Sequence, residues 1–243
     1  MIRNARLSLL VIVVATMVVS ACNGIGPARR TASGTTASKR LDASGVTRLD
    51  IAHGFDVRVA IGQAETATVT YDDNLADLLD VRVDGRTLRL QLKPHGRTTN
   101  RPSLGAEVTV RRLEEVRVAG GSFVEVAGPV RDQGLRLQLS GGSRVTADLG
   151  LDRADTTVSG GSHLQLTGAA GRLEADATGG SDLELTGLSL QHLTVRLSGA
   201  SHAKVQADQT IAARVSGSSS LTYLGSPRFT KRDASANSTI RSA

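Results

Sequence analysis

Tryptophan is absent from this chain, aromatic residues make up 2% of it, and Cys22 is its single cysteine. One thiol excludes an intramolecular disulfide. So few rings exclude a core built on aromatic bulk and leave a narrow aliphatic interior as the expectation. Acidic residues are missing from the first forty positions, so the net charge of +6 has its source there, in Arg3, Arg6, Arg29, Arg30, Lys39 and Arg40. From residue 41 onward, 23 basic and 23 acidic residues balance. A neutral domain without tryptophan excludes nucleic acid as a partner. A long apolar run is missing as well: the thirteen residues 7–19 span only about 20 Å as a helix, short of a hydrocarbon core of about 30 Å.

What the N-terminus does contain is the layout of a secretory signal over residues 1–21, with Arg3 and Arg6 in front, the apolar run, then the small residues Ser20 and Ala21. Val19-Ser20-Ala21-Cys22 resembles the lipobox of bacterial lipoproteins. That resemblance implies cleavage before Cys22, acylation of its thiol, and a membrane partner through the lipid anchor. The expected location is the cell envelope, facing the periplasm or the cell surface. Asp after the cysteine favours inner-membrane retention in the sorting pattern of such proteins, so Asn23 points to the outer membrane in a cell that has two. Residues 22–40, rich in Gly, Ser, Thr and Ala, read as a flexible basic linker whose cations suit anionic headgroups. The folded domain is expected over residues 41–243.

Self-similarity then decides the fold. The triplets Gly120-Gly121-Ser122, Gly141-Gly142-Ser143, Gly160-Gly161-Ser162, Gly179-Gly180-Ser181, Gly199-Ala200-Ser201 and Gly217-Ser218-Ser219 recur, with a degenerate copy at Ala236-Asn237-Ser238. Successive terminal serines lie 21, 19, 19, 20, 18 and 19 residues apart. Before each serine, alternate positions are apolar (Leu135, Leu137 and Leu139; Leu193, Val195 and Leu197), and alternation resumes after it (Val124 and Val126; Leu183 and Leu185). Period two means strands with one face inward. Coils of about 19 residues, over about 114–240, predict an all-β parallel β-helix, a β-solenoid in which each strand bonds to the coils above and below. The first glycine is expected to be the left-handed residue of each bend, Ala236 to make the last coil irregular, and the serines to form a structural ladder. Residues 46–113 are β-rich without the short repeat and predict an irregular end that caps the solenoid. Asp84-Gly85 signals a hairpin there, and residues 72–79 allow one helical turn.

Gly54-Phe55-Asp56-Val57-Arg58-Val59, then Asp72-Asp73-Asn74-Leu75, then the coils, ending in Leu221-Thr222-Tyr223-Leu224-Gly225-Ser226-Pro227, resemble the head GIN domain family of putative auto-transporter adhesins over about residues 46–240. The resemblance implies a right-handed β-helix on a bacterial envelope protein and supplies no catalytic residues.

Three functional readings follow. Seven equivalent serines argue against a nucleophile, which needs its own base. The outward residue after each serine reads Phe123, Arg144, His163, Asp182, His202 and Ser220, and His163, Asp182 and His202 would stack on adjacent coils as a solvated column. Neighbours about 5 Å apart could pair, but ligand bonds of about 2 Å from histidine rungs about 10 Å apart would demand side-chain convergence, so no metal or cofactor is expected. A β-helix enzyme acting on polysaccharide would use clustered carboxylates, yet Asp155, Glu174 and Asp176 share columns with Arg136, Arg196 and Arg214. The favoured reading is a non-enzymatic display or binding module for a glycan or an envelope protein. A purely structural envelope protein is the other alternative. Phe229, Lys231 and Arg232 in the terminal coil mark a place for self-association.

Overall fold

The computed structural model describes residues 30–93, 98, 100–131, 134–235 and 237–243. The expected signal, Cys22, Asn23 and Ala236 lie outside the described residues. The chain is nearly all β and forms a β-solenoid of about seven turns with coils of about 19 residues.

Strands run in chain order as β1 (Thr36–Asp42), β2 (Arg48–Ile51), β3 (Asp56–Ile61), β4 (Thr66–Asp72), β5 (Leu79–Asp84), β6 (Thr87–Leu92), β7 (Leu104–Val110), β8 (Glu115–Val118) and β9 (Phe123–Val130). They continue as β10 (Gly134–Leu139), β11 (Arg144–Val158), β12 (His163–Ala177), β13 (Asp182–Leu197), β14 (His202–Gln206), β15 (Thr210–Val215), β16 (Ser220–Leu224), β17 (Arg228–Ala234) and β18 (Thr239–Ser242). They make two long faces. On the first, β6, β2, β8, β10, the second halves of β11, β12 and β13, then β15 and β17 pair in parallel. On the second, β7, β3, β9, the first halves of β11, β12 and β13, then β14, β16 and β18 do the same. The Gly-Gly-Ser triplets bend the chain from the first face to the second.

Alternation puts one side chain in two inward. Leu137, Val145, Leu164, Leu185 and Val205 are 0% exposed and stack with their counterparts from coil to coil. Burying each such aliphatic side chain contributes roughly 1.5–3 kcal/mol. Alanine shares this interior at Ala147, Ala154, Ala175, Ala177 and Ala213, and Phe55 is its one fully buried ring. The narrow aliphatic core read from composition is the one observed.

The irregular half builds the cap. β5 and β6 form the hairpin at Asp84-Gly85, with Gly85 at φ 57°, and a 3₁₀ turn spans Asp73–Leu78. β4 runs antiparallel to β7, and β1 antiparallel to β4, closing the second face. β1 lies within residues 22–40, read from composition as linker: from Thr36 onward that stretch is part of the sheet, because its alternate backbone groups complete the otherwise open edge of β4. The coil of β2 and β3 is sandwiched between that of β6 and β7 and that of β8 and β9.

Candidate binding surface

Each bend passes through two consecutive residues of positive φ. At 141–142 the values are 63° and 75°, and at 160–161 they are 63° and 71°. The first glycine is left-handed, as expected, but it is not the one left-handed residue of the bend: Ala200 and Ser218, at the second position, both have φ 63°. Space, not backbone conformation, distinguishes the two positions. A Cβ on Gly141, Gly160 or Gly179 would meet the backbone nitrogen of the preceding bend's first glycine at 3.2, 3.1 or 3.3 Å. One on Gly121, Gly142, Gly161 or Gly180 would meet nothing within 4 Å. The second position therefore admits a side chain at the left-handed cost of about 1–2 kcal/mol, and the first does not wherever it stacks on a preceding bend. Gly120, Gly199 and Gly217 repeat the pattern, with contacts at 3.1, 3.0 and 2.8 Å.

Gly120 stacks on His53, whose φ is 67°. His53-Gly54-Phe55 is thus one more bend of the column, and sequence reading missed it because the triplet lacks the Gly-Gly-Ser spelling. The signal was present in the spacing: Leu49 and Ile51 before it and Val57 and Val59 after it match Val116, Val118, Val124 and Val126 around Gly120.

The serines Ser122, Ser143, Ser162, Ser181, Ser201 and Ser219 are at most 1% exposed. The hydroxyls of Ser143, Ser162 and Ser181 donate to the carbonyls three residues back at 2.7, 2.7 and 2.8 Å. The oxygen also accepts from the neighbouring coil: the Ser143 N–H donates to Ser162 Oγ at 3.2 Å, and the Ser201 N–H to Ser219 Oγ at 3.1 Å. A hydroxyl buried and engaged in both roles stitches coils together and leaves no free oxygen for attack.

Outward, the strands place Phe123, Arg144, His163, Asp182, His202 and Ser220 in register as one column. Asp56 and Gly105 extend it beyond Phe123, into the half where no motif marked the coils. His202 Nδ1 lies 3.7 Å from Asp182 Oδ1, with both side chains more than half exposed, so the pair adds little to stability. Among the described residues no group of three or more histidines, cysteines and acids is arranged to hold a metal. On the first face Arg153 reaches Asp155 at 3.1 Å and Glu174 at 3.3 Å, and Arg196 reaches Asp176 at 3.1 Å. The Asp155 carboxylate bonded to Arg153 pushes its guanidinium pKa up. These acids are thus matched by cations, with Arg136 beside Asp155 and Arg214 beside Arg196.

The two ends differ. At the capped end, a strap of residues 30–35 is fastened to the 3₁₀ turn and its flanks. Arg30 binds Asp77 through both terminal guanidinium nitrogens and donates to the Asn74 carbonyl at 2.8 Å. The hydrogen bond from Arg30 holds the Asp77 carboxyl below the usual carboxylate range. Asp72, 1% exposed, accepts the N–H groups of Gly34 and Ser103, each at 2.7 Å. Arg30, Lys39 and Arg40, read as cations of a free linker, are therefore part of the strap and of β1. At the other end β17 and β18 each pair on one side only among the described residues. Phe229 there meets Tyr223 edge-on at 5.1 Å and lies under the Arg232 guanidinium at 5.0 Å. Phe229 is thus engaged within its own coil, and Arg228, Lys231, Arg232 and Arg241 against Asp233 make this edge basic.

Residues 26–227 match the family model described as "Putative auto-transporter adhesin, head GIN domain". The match begins at residue 26, before the strap, and not at 46 where the resemblance in sequence became readable. A crystal structure of a "putative adhesin" from Bacteroides fragilis superposes with a TM-score of 0.82 at 18% identity, covering 88% of this chain and 99% of that one. A "putative adhesin" from Parabacteroides distasonis gives 0.72 at 18% identity, covering 89% and 100%. A "Putative lipid binding protein" from the same species gives 0.72 at 16% identity, covering 89% and 100%. At these identities the likeness shows the fold. No curated protein matches the chain. No helix among the described residues is long and apolar enough to cross a membrane.

Proposed function

Given that the chain belongs to the head GIN domain family of putative auto-transporter adhesins, we propose that it is a non-enzymatic binding module displayed on the bacterial envelope through a lipid on Cys22. The observation that carries this reading is the strap. Its bonds to Asp72, Asp73, Asn74 and Asp77 fix the point where the chain enters the domain at the capped end. From Cys22 to Arg30 is eight residues, a reach of at most roughly 26–29 Å. A lipid on Cys22 would thus hold the cap next to the bilayer. Ten strands stack along the first face. At about 4.8 Å each they carry the basic terminal edge on the order of 43 Å outward. Both broad faces stay clear of the anchor. The paired carboxylates of the first face and the buried serines support binding rather than turnover. Asn23 favours the outer membrane where a cell has two.

The test is metabolic labelling of cells expressing the full chain with an alkyne fatty acid, alongside protease treatment of intact cells. Label on the wild type, none on Cys22→Ser, and release of that variant from the membrane fraction are expected. A chain that remains membrane-bound and unlabelled in both forms overturns the anchor.

A further inference from the structure

We propose that the two grooves on either side of Phe123 form one saccharide-binding site, with a sugar ring held against the phenyl face. This rests on the display-module reading and names the class of its ligand. Of the five aromatic side chains, Phe55 is buried, and Tyr71, Tyr223 and Phe229 pack against the core. Phe123 is the ring on an outward position of the column, half-buried between Asp56 and Arg144. An aromatic platform on a polar strand surface loses water from its face only when something covers it.

Next in the column, beyond Asp56, stands Gly105, flanked on its other side by Thr70. Glycine in a strand interior weakens the strand and marks a close approach by another group. Here it opens a notch, a groove of about 480 Å³ lined by Asp56, Arg58, Thr70, Glu107, Phe123 and Glu125. Glu125 holds Arg58 at 3.1 Å, which pre-orients a guanidinium among carboxylates. On the other side of the ring, the side-chain-free bends at Gly121, Gly142 and Gly161 leave a second groove of about 420 Å³, into which Arg101, Arg144 and His163 project. Asp56 and Phe123 line both grooves.

The chemistry of this lining selects the ligand. A pyranose offers one apolar C–H face and a rim of hydroxyls, which is what a single ring among planar acceptors and donors can satisfy. The polar walls do not suit an acyl chain. In the first groove three carboxylates face one guanidinium and disfavour a phosphate or uronate. The sign reverses across Phe123, where Arg101 and Arg144 suit an acidic substituent. The geometry therefore fits a short glycan with one neutral ring over Phe123, a second neutral unit reaching past Asp56 to the notch at Gly105, and an anionic unit, when present, pointing toward Arg144.

The test is an array of neutral and acidic bacterial and host glycans probed with the full chain in detergent micelles, followed by titration of the hits. Two variants are compared. Phe123→Ala removes the platform. Gly105→Thr fills the notch, and the backbone tolerates it, since a Cβ there meets only the Asp56 carbonyl oxygen at an ordinary 3.7 Å. Saturable wild-type binding weakened at least tenfold by each variant, with unchanged melting temperature for Gly105→Thr, is expected. Wild-type binding that both variants retain overturns the groove and leaves the display reading standing. Absence of any glycan binding also overturns the groove, while Cys22 labelling judges the display reading separately.

Discussion

Gly160→Ala and Gly161→Ala place the same methyl group on neighbouring residues of one bend, at φ 63° and 71°. If left-handed backbone were the whole constraint, the two would cost alike: about 1–2 kcal/mol for the conformation, reduced by roughly 0.4–1 kcal/mol because alanine stiffens the unfolded chain. The structure separates them. At 161 the methyl group enters open space, as the side chain of Ala200 already does in its own bend. At 160 it meets Gly141 N at 3.1 Å and Cα at 3.6 Å, so two coils must part by a few tenths of an ångström. That separation strains the adjoining hydrogen bond from Gly142 N to Gly160 O, now 2.9 Å. A strained backbone hydrogen bond and loosened packing add about 2 kcal/mol. For a domain of this size, that is a melting temperature about 4–8 °C lower for Gly160→Ala than for Gly161→Ala. Differential scanning calorimetry of the two variants reads the difference directly. Equal melting temperatures would refute the close-approach argument and return the constraint to φ alone.

Ser162→Ala strands the Ser159 carbonyl and the Ser143 N–H, and is expected to cost about 1–3 kcal/mol by urea unfolding, with the fold retained. The strap is sensitive to acid. The folded-state pKa of Asp77 lies below its unfolded value, so its contribution is present above the ordinary carboxylate pKa near 3.9 and is lost as pH falls through the lower, folded value. Hydrogen exchange at the amides of Ala32, Ser33 and Gly34, corrected for intrinsic rates, should accelerate below about pH 4, and Asp77→Asn should reproduce the effect at neutral pH.

The repeat made the solenoid legible in sequence because each coil repeats its chemistry in one dimension. Period two around Leu193, Val195 and Leu197 gives the inward faces, and serine spacing gives the coil. The cap resisted the same reading for a physical reason. β1 is a polar strand, Thr36–Asp42, held by its backbone against β4, and no apolar face announces such an element. The strap is likewise a set of main-chain bonds to Asp72 and Asn74 across about 40 positions, which composition registers only as a Gly- and Ser-rich tether. The first glycine is left-handed as expected, but so is the residue after it; why only the first resists a side chain was not legible, because φ is a local property while the blocking contact comes from the neighbouring coil. Strand register sets His163, Asp182 and His202 side by side on neighbouring coils. The grooves beside Phe123 needed Gly105, a residue that only strand register brings beside Asp56.

Because each bend bonds to the bends directly before and after it, a coil can be gained or lost in evolution as a unit, with both new junctions identical to the old. The chain thus has a growth axis with a fixed origin at the strap. Adding coils after Ser181 would advance the basic terminal edge by about 4.8 Å apiece. Phe123 would keep its distance from the strap, so the length of the solenoid and the position of this ring are free to vary independently.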